Sequence, residues 1–211
     1  MVDSITLRFV KKIMPLAAKN ILLASTSHYR RALLEKTTLP FTCAAPDIDE
    51  SAYPGEVPES LVTRLAESKA RALMNLYPTH LIIGSDQVCV LEGNITGKPH
   101  DFERAQRQLR AASGKTVTFY TGLSLLDASS GEAQTLCETF EVTFRELSDD
   151  EIRGYLNLEQ PYDCAGSFKC EGLGISLFSK LSGRDPNTLI GLPLIALLDL
   201  LREKGVNPLL R

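Results

Sequence analysis

The sequence predicts an α/β fold, a mixed β-sheet flanked by helices and arranged as two lobes around a cleft. Three observations predict it. Short apolar runs, Ile21-Leu22-Leu23-Ala24 and His80 to Gly84, read as buried strands and alternate with segments of helical period, as βα units do. Two longer strand-like runs, Thr116 to Asp127 and Gln134 to Arg145, are joined by Ala128-Ser129-Ser130-Gly131 and add a long hairpin. No repeat, low-complexity segment or linker divides the 211 residues, a length that can bury one substantial core.

The elements follow in order. Residues 1–13 lack apolar periodicity and read as an N-terminal extension to a single domain over 14–211. No continuous apolar run follows Lys11-Lys12, so the start does not read as a secretory signal. After the first strand, Ser27 is placed to cap a helix through Lys36 that carries Ala32, Leu33 and Leu34 on its apolar side. Phe41 to Ala45 reads as a second strand, followed by the acidic turn Asp47-Ile48-Asp49-Glu50. Pro58 suits the first turn of a long helix with Leu61, Leu65, Ala66, Leu73 and Leu76 at helical spacing.

The strand His80 to Gly84 is expected to end at Ser85-Asp86-Gln87, and Glu92-Gly93-Asn94 marks a hairpin between Val88–Leu91 and Ile95. Asp101 caps a helix with Phe102, Ala105 and Leu109, which Gly114 stops. Ser148 and Glu151 form a capping box for a helix that uses Ile152, Tyr155 and Leu156. The Gly-rich stretch Ala165 to Gly174 leads to a strand expected over Ile175 to Leu181. Pro193 opens a last helix with Leu194, Leu197, Leu198 and Leu201, and Gly205 stops it.

Composition narrows the function. A formal net charge of −3 gives no general attraction for a nucleic acid polymer or an acidic membrane, so any basic site must be local. No run approaches the roughly 18 apolar residues of a membrane span. The five cysteines are scattered with no CxxC pair, which argues against a disulfide framework or a zinc knuckle and fits reduced thiols in the cytoplasm.

Chemistry concentrates at a few places. In Ser25-Thr26-Ser27-His28-Tyr29-Arg30-Arg31 a strand ends, hydroxyl residues turn the chain, and arginines enter the first turn of a helix. Cations there oppose the positive end of the helix dipole, and a bound anion would resolve the conflict. A solvated arginine pair is the alternative. No GxxxxGK[ST] or GxGxxG motif is present. Asp86 follows a buried strand, where α/β folds present functional groups, and suits a divalent cation or a water; an Asx turn is its alternative role.

Together these segments resemble the Maf family of nucleotide pyrophosphatases. The family's opening motif A-S-x-S-x-x-R-R stands here as Ala24-Ser25-Thr26-Ser27-His28-Tyr29-Arg30-Arg31. Asp49-Glu50, Arg64-Leu65-Ala66-Glu67-Ser68-Lys69-Ala70, Gly84-Ser85-Asp86 and Gly97-Lys98-Pro99 follow in family order. Ala165-Gly166-Ser167-Phe168 and Gly191-Leu192-Pro193 complete the set. The resemblance implies a Maf/ITPase-like fold that cleaves a nucleoside triphosphate between its α- and β-phosphates with a divalent cation, Mg, Mn or Co. It makes Asp86 the proton acceptor and Ser25, Arg30, Arg31, Lys69 and Lys98 phosphate contacts, with Glu50 and Asp86 at the metal. It also implies a homodimer, for which the sequence identifies no interface.

Within the family the chain is most similar to the branch that hydrolyses 7-methyl-GTP, whose specificity positions fall on Tyr29, Gln87 and Glu171. An aromatic face attracts the cationic ring of a 7-methylated guanine, and a carboxylate accepts from its N1–H and 2-amino group. His28 and Tyr29 stand where this branch usually shows Pro and Trp, and Tyr is the weaker cation–π platform. A pyrophosphatase for dTTP, UTP or CTP is the same-class alternative; a nucleotide-binding regulator of septum formation with little catalysis is the other.

Overall fold

The computed structural model describes residues 19–210, so the extension expected for residues 1–13 lies outside the described residues. Strand β1 (Asn20–Ala24) leads into helix α1 (His28–Glu35), and β2 (Phe41–Ala44) precedes helix α2 (Pro58–Ala72). Strand β3 (His80–Leu91) turns into the short β4 (Asn94–Thr96), and helix α3 (Phe102–Ala112) connects to β5 (Thr116–Asp127) and β6 (Glu132–Phe144). Helix α4 (Asp149–Glu159) and 3-10 turns at Ala165–Ser167 and Leu173–Leu177 come before β7 (Phe178–Gly183), α5 (Pro186–Ile190) and α6 (Leu194–Glu203).

The strands form one seven-stranded sheet in the order β2-β1-β3-β5-β6-β7, with β4 paired to β3. β1 is parallel to both β2 and β3, and the remaining pairs are antiparallel. The sheet is mixed because βα units and a hairpin share it, as the sequence predicted.

Alternation along β5 explains the two lobes. Val117, Phe119, Thr121, Leu123 and Leu125 point to one face. Val117 and Phe119 belong to a core built with α3, α4 and the Phe168 loop; Leu123 and Leu125 belong to a second core with α1 and α6. The polar Thr121 falls between them. On the opposite face α2 packs over Leu22, Ile82 and Leu126.

Local signals hold where they act over a few residues. Ser27, Asp101 and Ser148 accept from backbone N–H groups at the starts of α1, α3 and α4, and Ser148 with Glu151 completes the capping box. Other expectations need correction. The strand expected to stop at Gly84 runs on to Leu91, because β5 pairs with it continuously from Leu81↔Asp127 to Val90↔Thr118. Asp86 therefore lies within a strand rather than after one. Helix α2 ends at Ala72, and Leu76, placed on its apolar face, is instead exposed. The last strand begins at Phe178, not Ile175, since Gly172 and Gly174 both donate to the Lys169 carbonyl and wind the chain first. Helix α5 is too short to show a helical period, although Asp185 caps it, Pro186 opens it and Gly191 ends it.

Candidate functional site

The edge of β3 that faces β1 is only partly used. β1 covers its first residues, through Ile83, and β4 covers Cys89 to Leu91. Among the described residues no strand pairs with 84–88 on that side. This gap opens into a cleft of about 580 Å³, within the size range of small-molecule sites. Because strand residues alternate, the gap presents Asp86 from the α2 face and Gln87 from the α1 face.

Asp86 is buried, and its Oδ1 accepts from Lys69 Nζ at 2.6 Å. Lys69 is buried too and also lies 3.1 Å from Glu50 Oε1, which reaches in from an exposed loop. Two glycines set this geometry. A Cβ on Gly84 would stand 2.0 Å from the Ala66 carbonyl oxygen, and one on Gly122, paired with Asp86, 2.1 Å from that of Val62. The bare backbone lets α2 lie directly on the sheet, one helical turn before Lys69.

The α1 end of the cleft is cationic. Ser25 Oγ accepts from Ser27 N–H at 3.1 Å and braces the loop. Arg30 Nε donates to the Gly191 carbonyl at 2.8 Å, a residue whose φ of +115° suits glycine. Burial pulls the Arg30 guanidinium below its ordinary pKa, opposed by the charges of Asp86 and Glu50. No carboxylate lies within ion-pair distance of Arg30 among the described residues. Lys98, exposed after β4, lines the same cleft.

Tyr29 precedes Arg30 on the helix and so meets a different neighbourhood. Its hydroxyl accepts from Cys164 Sγ at 3.6 Å, and burial, then Cys164, Asp163 and Glu171, push the phenol above its ordinary pKa. Burial likewise pushes the Cys164 thiol up to about 12. Glu171, exposed at the rim, completes this end. Gln87 is held from behind: its Nε2 donates to Thr121 Oγ1 at 2.9 Å and to the Thr188 carbonyl at 2.7 Å.

The structure thus brings Ser25, Tyr29, Arg30, Glu50, Lys69, Asp86, Gln87, Lys98 and Glu171 to one cleft. It does not bring Arg31. That side chain is 65% exposed and pairs with Glu35 at 3.0 Å, one turn along the outer face of α1. Sequence reasoning missed Asp163 beside Tyr29 and the α5 carbonyls that orient Gln87; neither has a local signature. Among the described residues no cluster of three or more His, Cys, Asp or Glu side chains forms a metal cage, and no helix is long and apolar enough to cross a membrane.

One solved structure similar to this chain is the Staphylococcus aureus Ham1 protein, at 16% identity and a TM-score of 0.49, covering 89% of this chain and 100% of that one. Residues 20–204 match the family described as Maf-like protein, and the chain belongs to that family.

Proposed function

We propose that the protein is a nucleoside triphosphate pyrophosphatase that hydrolyses 7-methyl-GTP to 7-methyl-GMP and pyrophosphate, removing a modified nucleotide in the cytoplasm. The observation that carries the reading is the buried Lys69–Asp86 pair beside Arg30 in a cleft that also takes Lys98. A buried ion pair is weak evidence of a stabilising role, and a carboxylate that faces a cleft suits the handling of a water or a cation.

Arg30, Lys69, Lys98 and the Ser25 hydroxyl meet the phosphate oxygens and offset their charge. Lys69 engages Oδ1 of Asp86 and leaves Oδ2 available to a water. Asp86 takes a proton from that water as its oxygen bonds to the α-phosphorus; the bond from the α-phosphorus to the bridging oxygen breaks, and pyrophosphate leaves. Glu50 and Asp86 would hold a divalent cation of the Mg, Mn or Co type. Each engages Lys69 Nζ through one oxygen, Oε1 and Oδ1 respectively, and keeps the other. Such ions are commonly held by one or two carboxylates with substrate phosphates and water completing the shell. When bound, the cation supplies further charge neutralisation of the triphosphate.

At the other end, Tyr29 offers an aromatic face and Glu171 a carboxylate, with Asp163 adding negative charge nearby. That combination favours a cationic purine over a neutral one. The test is pyrophosphate release from a panel of 7-methyl-GTP, GTP, dTTP, UTP and CTP with Mg²⁺ or Mn²⁺. The expected order places 7-methyl-GTP first. Faster turnover of dTTP or UTP would overturn the base assignment, and no release from any triphosphate would overturn the enzyme assignment.

A further inference from the structure

Gln108, half-buried on α3 behind the cleft wall, joins two segments that meet different parts of the proposed substrate. Its Nε2 donates to the Gly97 carbonyl at 3.1 Å, immediately before Lys98. Its Oε1 accepts from the hydroxyl of Ser167, within the loop that runs from Cys164 to Glu171. A carboxamide suits the position because it donates at one atom and accepts at the other.

Ser167 shows why such a tie is needed. It is fully buried with φ of +64°, a left-handed conformation that residues bearing a Cβ adopt at a cost. Gly166 beside it has φ of +76°. These consecutive left-handed residues turn the chain between Cys164 and Phe168, both in the cleft wall. They aim Phe168 into edge-to-face contact with Phe119, Phe144 and Phe178, at centroid distances of 5.5, 5.7 and 4.8 Å. The hydrogen bond from Ser167 to Gln108 compensates the strained turn, and the same side chain holds the Lys98 segment in register with it.

We propose that Gln108 is a positioning residue that sets the spacing between the phosphate end of the cleft, at Lys98, and the base end, at the 165–171 loop. The proposal rests on the nucleoside triphosphate reading above. A spacing device has a signature that general stabilisation lacks: it penalises only ligands long enough to span both ends.

The test compares wild type, Gln108→Met and Gln108→Glu by calorimetric binding of 7-methyl-GTP, 7-methylguanosine and inorganic tripolyphosphate, with steady-state kinetics alongside. If the substrate panel selects another base, that triphosphate and its nucleoside replace the methylated pair. Gln108→Met is expected to weaken the triphosphate by roughly five-fold, the order for a lost neutral hydrogen bond, and to raise KM more than it lowers kcat. The nucleoside and tripolyphosphate should keep near-wild-type affinities. Gln108→Glu keeps an acceptor for Ser167 but loses the donor to Gly97 and adds a charge beside Lys98. It should weaken the triphosphate more than tripolyphosphate and leave the nucleoside near wild type, and it carries the test if the Met variant fails to fold. Equal weakening of all three ligands, or unchanged constants for all three, overturns the spacing role alone. A wild type that binds no nucleoside triphosphate overturns both this proposal and the functional reading beneath it.

Discussion

Gly84 in β3 packs so closely on α2 that a Cβ at its position would lie 2.0 Å from the carbonyl oxygen of Ala66. Ala66 precedes Lys69 by three residues on the helix, and Gly84 precedes Asp86 by two on the strand, so each pair shares a face. The backbone contact between glycine and helix is what places the ammonium against the carboxylate. It makes a residue with no chemistry of its own a determinant of the site.

Gly84→Ala should therefore destabilise the fold and disrupt the ion pair together. Backbone cannot yield as a side-chain tip can, so a loss near the upper end of the roughly 1–3 kcal/mol seen for overpacking is expected. Thermal unfolding and turnover of the purified variant check it. A melting temperature and rate equal to wild type would show that α2 is free to shift.

Asp86→Asn keeps the shape of the side chain and removes its basicity. Turnover should fall by about 10²–10⁴-fold, the range for loss of a general base, while triphosphate binding is largely retained. Rate and affinity measured on one preparation separate these. Near-normal turnover would end the proton-acceptor role.

Arg30 and Arg31 are adjacent in sequence but should behave differently. Arg30→Ala removes the guanidinium in the cleft, and triphosphate affinity should drop by roughly 10- to 100-fold, as for lost charge-assisted hydrogen bonds. Arg31→Ala removes an exposed i,i+4 pair with Glu35, whose contribution is at most about 0.5 kcal/mol, and should bind normally. Equal effects of both substitutions in a binding titration would contradict the placement of Arg31 on the outer face.

Chelation separates folding from catalysis. Lys69 bridges Glu50 and Asp86 without a metal, so EDTA should abolish turnover without lowering the melting temperature, and added Mg²⁺ or Mn²⁺ should restore it. Full activity in EDTA would rule out the cation.

The proposed function assigns base discrimination to Tyr29 and Glu171. Because burial and nearby acidic groups push the Tyr29 phenol up, it stays neutral at and above physiological pH, and preference for 7-methyl-GTP over GTP should not change between pH 7 and pH 9 through this residue. Tyr29→Ala should shrink the preference by about 0.5–2 kcal/mol, or severalfold, whereas Tyr29→Trp should hold or raise it. Competition assays with the paired nucleotides read the change directly. An unchanged ratio in Tyr29→Ala would remove the ring from recognition.

Much of this protein is legible in the sequence because the rules involved act within a few residues. The caps at Ser27, Asp101 and Ser148, the hairpin turn at Glu92-Gly93 and the apolar periods of the long helices each depend on neighbours in the chain. Motif order was likewise enough to nominate Asp86, Lys69, Lys98 and the Ser25 loop. What the tertiary structure decided is which side chains meet. Lys69 reaches Asp86 because two glycines admit α2, Gln87 is oriented by carbonyls about a hundred positions away, and Arg30 turns inward while Arg31 turns out. The continuity of β3 past Asp86 also waited on β5, since a strand ends where its ladder ends rather than where its apolar run does. Local patterning specifies elements and their faces; packing between distant faces, which no short window contains, specifies the site.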